Sequence, residues 1–294
     1  MKDKVTLKVF GLIKDPAFYA GKSIALDLQN AITDYVIEVE IQEMFEFDWK
    51  MFLNKVQILE KGSMWAFDGS VLFYKNEELL GSLKDFEQMV EEKFHYRNYR
   101  PSSLYEAFAD EGYQKYLKAS NHSFAYFDIA ISGESVGRML MELFTDICPK
   151  TCENFKALCT GERGRSQSGL KLHYQNSLIH RIVKNGWIQG GDIDQGIGNG
   201  GESIYGPVFE DESFAMKHDK PGILGMVNKG RHTNGSQFYI TLQPAKWMDT
   251  KYVAFGRVIE GYDILKKLEN QDTFNERPKH DCRLLLSGVI CLDS

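Results

Sequence analysis

Arg181 is the side chain in this 294-residue sequence that could most directly stabilise a strained, electron-rich atom. Its guanidinium is planar, always charged and carries its N–H donors in a fixed fork. Taken alone, an arginine in an apolar run such as Leu178–Val183 reads as an ion pair at a strand end. The preceding His180 reads as a packed strand residue. Three other polar groups sit in short apolar segments: Gln189, Asn228 and Gln237. Aromatic and thioether groups accompany them at Trp187, Tyr239, Trp247, Met248 and Tyr252, with Val227 beside Asn228. Out of context each of these reads as core packing.

Other patterns lead nowhere. Cys148, Cys152 and Cys159 have gaps that fit no common zinc site, so buried thiols are expected and no metal. Gly196-Ile197-Gly198-Asn199-Gly200-Gly201 satisfies G-x-G-x-x-G. A dinucleotide site needs a helix after it, and Ser203-Ile204-Tyr205-Gly206-Pro207 forms turns instead.

These residues must be positioned by a chain of ordinary globular composition, 43% hydrophobic and 26% charged, with net charge −6. An acidic balance argues against nucleic acid or an anionic membrane as partner. No apolar run is long enough for a membrane span, no secretory h-region is visible, and the five cysteines are an odd number. A cytoplasmic protein is the expectation.

Glycine divides the chain: residues 1–120 hold 6 of 26. The same stretch has a net charge of −5, against −1 for the rest. The polar run Lys118–Ser123 marks the change. We place a first domain at 1–96, a helical linker at 97–121 and a second domain at 122–294.

In the first domain, periodicity predicts a strand at Lys4–Leu12, a helix at Phe18–Ile32, a strand at Tyr35–Ile41 and a helix at Asp48–Leu59 capped by Asp48. A hairpin follows around Lys75-Asn76-Glu77, then a helix at Leu83–Phe94. Within the linker, Leu104–Leu117 reads as a helix capped by Ser103. The order β-α-β-α-β-β-α resembles the thioredoxin-like fold. Thioredoxins place Cys-x-x-Cys after the first strand; here Asp15-Pro16-Ala17-Phe18 stands there. Without a thiolate the domain is redox-dead and reads as a docking or structural unit. The second domain shows short strands, glycine turns and two helices, which suggests a closed all-β barrel.

Several motifs occur there in one order. They are Phe127-Asp128-Ile129 with Gly137-Arg138; His180-Arg181-Ile182-Val183 leading to Trp187-Ile188-Gln189-Gly190-Gly191-Asp192; Gly200–Gly206 with Phe209–Glu212; Gly222–Asn228 running into Thr233–Ile240; then Trp247-Met248-Asp249 and Val253–Gly256. This pattern, over about residues 122–292, strongly resembles the cyclophilins, a family of peptidyl-prolyl cis-trans isomerases. The resemblance implies an eight-stranded antiparallel β-barrel capped by two helices, with no cofactor. The combination with an acidic N-terminal domain resembles the peptidyl-prolyl isomerase-like 6 group, which makes a ciliary or axonemal, cytoskeletal assembly conceivable.

The reaction so implied is rotation about an X–Pro bond against a barrier of about 18–20 kcal/mol set by amide resonance. It needs an apolar pocket for the proline ring, backbone hydrogen bonds to one side of the peptide, and a donor to a pyramidal proline nitrogen. By resemblance, Arg181 is that donor, and the eight-residue gap to Gln189 supports the match. Gln189 and Gln237 brace the arginine and the peptide. Val227 and Asn228 line the groove, the Asn228 backbone pairing with substrate. Trp187, Tyr239, Met248 and Tyr252 wall the pocket, and Trp247 is the rim tryptophan associated with cyclosporin-type ligands. Proline-bearing peptides or loops are the implied partners.

Some positions depart from the family pattern. Gly186 and Trp187 stand where phenylalanine and methionine usually line the pocket. Lys229 replaces a small residue, and Tyr252 replaces a common histidine. Losing one aromatic wall removes a burial contribution of roughly 1.5–3 kcal/mol, and about 1.4 kcal/mol is already tenfold in rate. Two expectations follow: an isomerase, or a barrel that docks proline-bearing segments with little catalysis. The loop Arg165–His173 reads as a surface insertion suited to a partner contact.

Overall fold

The computed structural model describes residues 3–292 and divides into two compact units, Met1–Ser120 and Asn121–Ser294. In the first unit the elements are β1 (Asp3–Leu12), α1 (Pro16–Ala31), β2 (Tyr35–Met44), α2 (Glu46–Glu60), β3 (Val71–Lys75), β4 (Glu78–Gly81), α3 (Leu83–Phe94) and α4 (Ser102–Ala119). The mixed sheet has the order β2-β1-β3-β4. β1 and β2 run parallel, which requires the crossover helix α1 between them.

Alternation along the strands gives the sheet two apolar faces. Val5, Leu7, Val9 and Phe73 form one core with residues of α1, α3 and α4. Leu72, with Phe10 and Leu12, packs with Trp49, Leu53 and Val56 of α2 in another. Tyr105 and Ala109 of α4 belong to the first of these cores. The expected linker helix is therefore part of this unit, held there by buried apolar surface. Two capping expectations shift by a few residues. Helix α2 starts at Glu46 with Phe45 as N-cap, so Asp48 lies in its first turn. Helix α4 starts at Ser102 after Pro101, so Ser103 is inside it. Asp15 caps α1, accepting from Ala17 N at 2.8 Å.

The second unit contains β5 (Ser123–Ile131), β6 (Glu134–Leu143), α5 (Pro149–Thr160), β7 (Leu178–Val183), β8 (Trp187–Asp192), β9 (Ile223–Met226), β10 (Phe238–Thr241), β11 (Ala254–Glu260), α6 (Tyr262–Glu269), β12 (Thr273–Phe274), β13 (Arg277–Pro278) and β14 (Cys282–Val289). Eight strands close in the order β10-β8-β7-β14-β5-β6-β11-β9, and their pairings are antiparallel. Closure removes every sheet edge. Helix α5 packs on β5, β11 and β14, and α6 on β6 and β7. Phe127, Phe155, Tyr174, Phe238 and Phe255 are buried against one another in the core. The short ribbon β12–β13 was not foreseen from periodicity, because two-residue strands carry no pattern. Among the described residues, no helix is long and apolar enough to cross a membrane.

Candidate functional site

The β7–β8 hairpin makes Arg181 and Gln189 cross-strand partners, and β10 lies beside β8 with Tyr239 opposite Gln189. Strand pairing thus gathers residues from three segments onto one patch. The Arg181 guanidinium stands 5.2 Å from the centre of the Trp187 ring. Its Nε donates to Glu276 Oε2 at 2.7 Å, and Nη2 forms an ion pair with the same oxygen at 2.7 Å. Gln189 is buried and donates from Nε2 to Gln237 Oε1 at 3.0 Å. Gln237 in turn donates to the carbonyls of Gly198 at 3.0 Å and Gly200 at 2.8 Å. The resemblance assigns the glutamine pair to bracing the arginine and the peptide. Its bonds run within the pair and to the Gly198 and Gly200 carbonyls, and Glu276 holds the guanidinium.

Tyr239, Ala245 and Met248 form a small buried cluster with Trp187, Val227 and Tyr252 packed on it. Trp187 and Trp247 have ring centroids 5.7 Å apart, Tyr239 and Tyr252 5.9 Å, and Trp247 and Tyr252 6.3 Å. The expected pocket walls therefore meet as one aromatic group. Trp247 stays 52% exposed at its rim. Val227 N donates to Gln237 O at 2.9 Å. The Asn228 side chain donates to Lys251 O at 2.8 Å, and the residue borders the neighbouring cavity.

His218, which sequence reasoning missed, supports the pocket from behind. It is fully buried, with Nδ1 2.8 Å from Asp249 Oδ1 and Nε2 2.6 Å from the Tyr239 hydroxyl. A carboxylate only accepts, so Nδ1 donates to Asp249, and Nε2 shares its hydrogen bond with the tyrosine hydroxyl. Gly225 opposite is required: a Cβ there would lie 2.1 Å from Tyr239 Oη. Tyr239→Phe is expected to destabilise the unit by about 1–3 kcal/mol, because His218 Nε2 is left buried without a partner. Urea denaturation followed by near-ultraviolet circular dichroism checks this.

A family model described as cyclophilin type peptidyl-prolyl cis-trans isomerase/CLD matches residues 126–289. The chain belongs to the cyclophilin family. Among its relatives is the mouse protein called probable inactive peptidyl-prolyl cis-trans isomerase-like 6, 49% identical over 97% of this chain and 91% of the relative. The human protein of the same name is 47% identical over 96% of this chain and 91% of its own length. A human NK-tumor recognition protein is 49% identical over 60% of this chain but only 12% of that protein. The likeness to the isomerase-like 6 proteins therefore spans both units, whereas the other covers the length of one.

Two departures from the usual cyclophilin pocket take shape in the structure. Gly186 lies in the turn between β7 and β8, its N–H bonded to Val183 O at 2.9 Å. The neighbouring Trp187 ring lies between the arginine and Trp247. Lys229 reaches across to Asn199 O at 2.8 Å and borders a cavity of about 210 Å³ that Gly198, Gly200, Val208, Val227 and Gln237 also line. The G-x-G-x-x-G stretch is the loop wall of this cavity. It wraps the Asp192 carboxylate and leads into a bridged turn at Ser203–Gly206, so it opens no helix.

The remaining candidates carry no chemistry. Burial pushes the Cys148 thiol up to about 12 and Cys282 to about 11, and Cys152 and Cys159 are raised further. Such thiols are inert at neutral pH. Among the described residues no cluster of His, Cys, Asp or Glu is arranged to hold a metal. His180 is buried against Gly198, and burial lowers its pKa. The Arg165–His173 loop closes on itself through an Arg165–Lys171 bridge, with Ser168 bonded to Glu202 at 2.6 Å. The signal that could have found His218 is its place in the Phe214–Met226 segment beside the quoted motifs; Glu276 has none, since 95 residues separate it from Arg181.

Proposed function

We propose that the barrel binds proline-bearing peptide segments at the Arg181 patch and isomerises their X–Pro bonds slowly, acting mainly as a docking module. One observation carries this reading. Trp187, Tyr239, Trp247 and Tyr252 pack on one another around a site that keeps the family's arginine and glutamines. An aromatic surface with a polar edge suits the stiff, low-entropy backbone around proline. We infer that the same packing narrows the space in which a proline ring would turn. The names of the isomerase-like 6 relatives support the weak-catalysis half of the proposal.

The test is NMR exchange spectroscopy on an Ala-Pro peptide. We expect slow acceleration by the wild type, at least tenfold less with Arg181→Ala, and binding retained in both. Trp187→Met is expected to raise the rate several-fold by reopening the recess. It is a cleaner variant than Gly186→Phe, since a Cβ at 186 would come within 3.0 Å of Val183 Cγ1 and 3.2 Å of its carbonyl. Peptide shifts absent at both barrel tryptophans would sink the reading. A cyclosporin-type macrocycle is a second probe of the rim at Trp247.

For the first unit we propose a thioredoxin-like fold without redox chemistry. Its strand order β2-β1-β3-β4, with β1 and β2 parallel and β3 antiparallel to β1, supports this. We propose that it serves docking in the cytoplasm, and its acidic balance favours a basic or cytoskeletal partner.

A further inference from the structure

Glu276 occupies the two-residue turn of the β12–β13 ribbon with φ 64°, next to Asn275 at φ 47°. Both are left-handed, a conformation in which asparagine and glycine are at ease and a glutamate is strained. Its carbonyl accepts from Ile182 N at 2.7 Å, which fastens the ribbon to β7. The glutamate is thereby delivered to the adjacent side chain, Arg181. Glu276 Oε2 accepts from Nε of the guanidinium at 2.7 Å and is ion-paired with Nη2 at 2.7 Å, and the Trp187 ring flanks the same group at 5.2 Å. The Glu276 side chain is 46% exposed, so its carboxylate serves no buried core. A strained backbone position that carries a charge to a candidate catalytic group points to a functional role for that charge.

We propose that Glu276 is a clasp on Arg181, a positioning residue that holds down the isomerase activity of this barrel. The inference rests on Arg181 being the donor to the prolyl nitrogen. As the amide twists, that nitrogen regains its lone pair, and catalysis depends on donors and positive charge aimed at it. A carboxylate bonded to the arginine's Nε–H and ion-paired with its Nη2 offsets part of that charge at close range and fixes the direction of the fork. Any substrate must draw the arginine against this pull. The clasp accounts for weak catalysis independently of the pocket walls.

The experiment compares the full-length wild type with E276G, E276Q and E276G/R181A. It uses NMR exchange spectroscopy on the Ala-Pro peptide, the Arg181 Nε–H resonance, and peptide-induced shifts of the Trp187 and Trp247 indole N–H signals. Glycine suits the left-handed turn, so E276G keeps the fold. We expect E276G to raise kcat/KM about tenfold, equivalent to about 1.4 kcal/mol, mainly in kcat. E276Q, which keeps an acceptor but loses the charge, gains less. The Arg181 Nε–H signal moves in both, and the double variant falls back to the background rate. Peptide binding by all the proteins, with unchanged or lower rates in E276G and E276Q, overturns the clasp and leaves the binding site standing. No peptide shifts in any of them overturns the site reading, and the clasp with it.

Discussion

Phe155→Ala is expected to cost the barrel about 3–5 kcal/mol, the range for removing a large aromatic from a packed core. Phe155 has no exposed surface. Its ring centroid lies 5.2 Å from that of Phe255, 5.3 Å from Tyr174, 5.6 Å from Phe127 and 5.8 Å from Phe238. These rings come from four different segments of the barrel, and one helix residue joins them. They cannot all move inward, because each is fixed by a strand or by a hydrogen bond such as Tyr174 Oη to Ser236 O at 2.6 Å. The cavity therefore stays open and its full cost is felt. Native-state hydrogen exchange of the slowest amides in β5 and β8 measures the loss. A change below about 1 kcal/mol, the value for an ordinary point substitution, would show that the cluster is not the keystone of this unit.

The second large effect is expected at Asp192. This carboxylate is 2% exposed and accepts six backbone N–H groups. Oδ1 takes Asp194 and Gln195 at 3.1 and 3.3 Å. Oδ2 takes Ile197, Gly198, Asn199 and Gly200 at 2.8–3.2 Å. Burial pushes its pKa up, but the backbone donors outweigh burial and hold the carboxyl below its ordinary value. Asp192→Asn turns an amide NH₂ toward donors and removes the charge. The expected loss is roughly 2–4 kcal/mol, since hydrogen bonds to charged groups and buried unpaired donors both count.

The pH dependence follows in sign. A carboxyl with a lowered folded pKa contributes its full stability above the unfolded value near 3.9 and loses it as pH falls through the folded one. The difference in urea midpoint between wild type and Asp192→Asn should therefore be constant at neutral pH and shrink on acidification below about pH 4. A difference that grows toward acid would contradict the assignment. The effect reaches the site, because Gly198 and Gly200 present their carbonyls to Gln237. Looser peptide binding at neutral pH should accompany the lost stability.

Elements were legible where pattern is local. The alternation in β1 and β2 and the four-residue spacing in α1 and α3 each follow from one face meeting a core. Helix starts were less legible. Asp48 and Ser103 are residue types that cap helices, yet the chain enters α2 at Phe45 and α4 at Pro101. Burial of Phe47, Trp49 and Tyr105 outweighs one capping bond. The 97–121 segment looked like a linker because Tyr99-Arg100-Pro101 breaks its periodicity. Only in three dimensions do Tyr105 and Ala109 meet the residues of α1 and α3.

Sequence by itself determined the family, the barrel and which residues stand at Arg181, Gln189, Gln237, Tyr239 and Trp247, because long ordered motifs specify one chain path. It determined the absence of a Cys-x-x-Cys thiolate for the same reason: a missing atom needs no structure to be read. Tertiary structure decided whom those residues touch. Gln189 came to pair with Gln237, His218 came to stand behind Tyr239, and Glu276 arrived on Arg181 from 95 residues away. Hydrogen bonds form between groups within about 3 Å in space, and barrel closure sets that distance with no regard to separation along the chain.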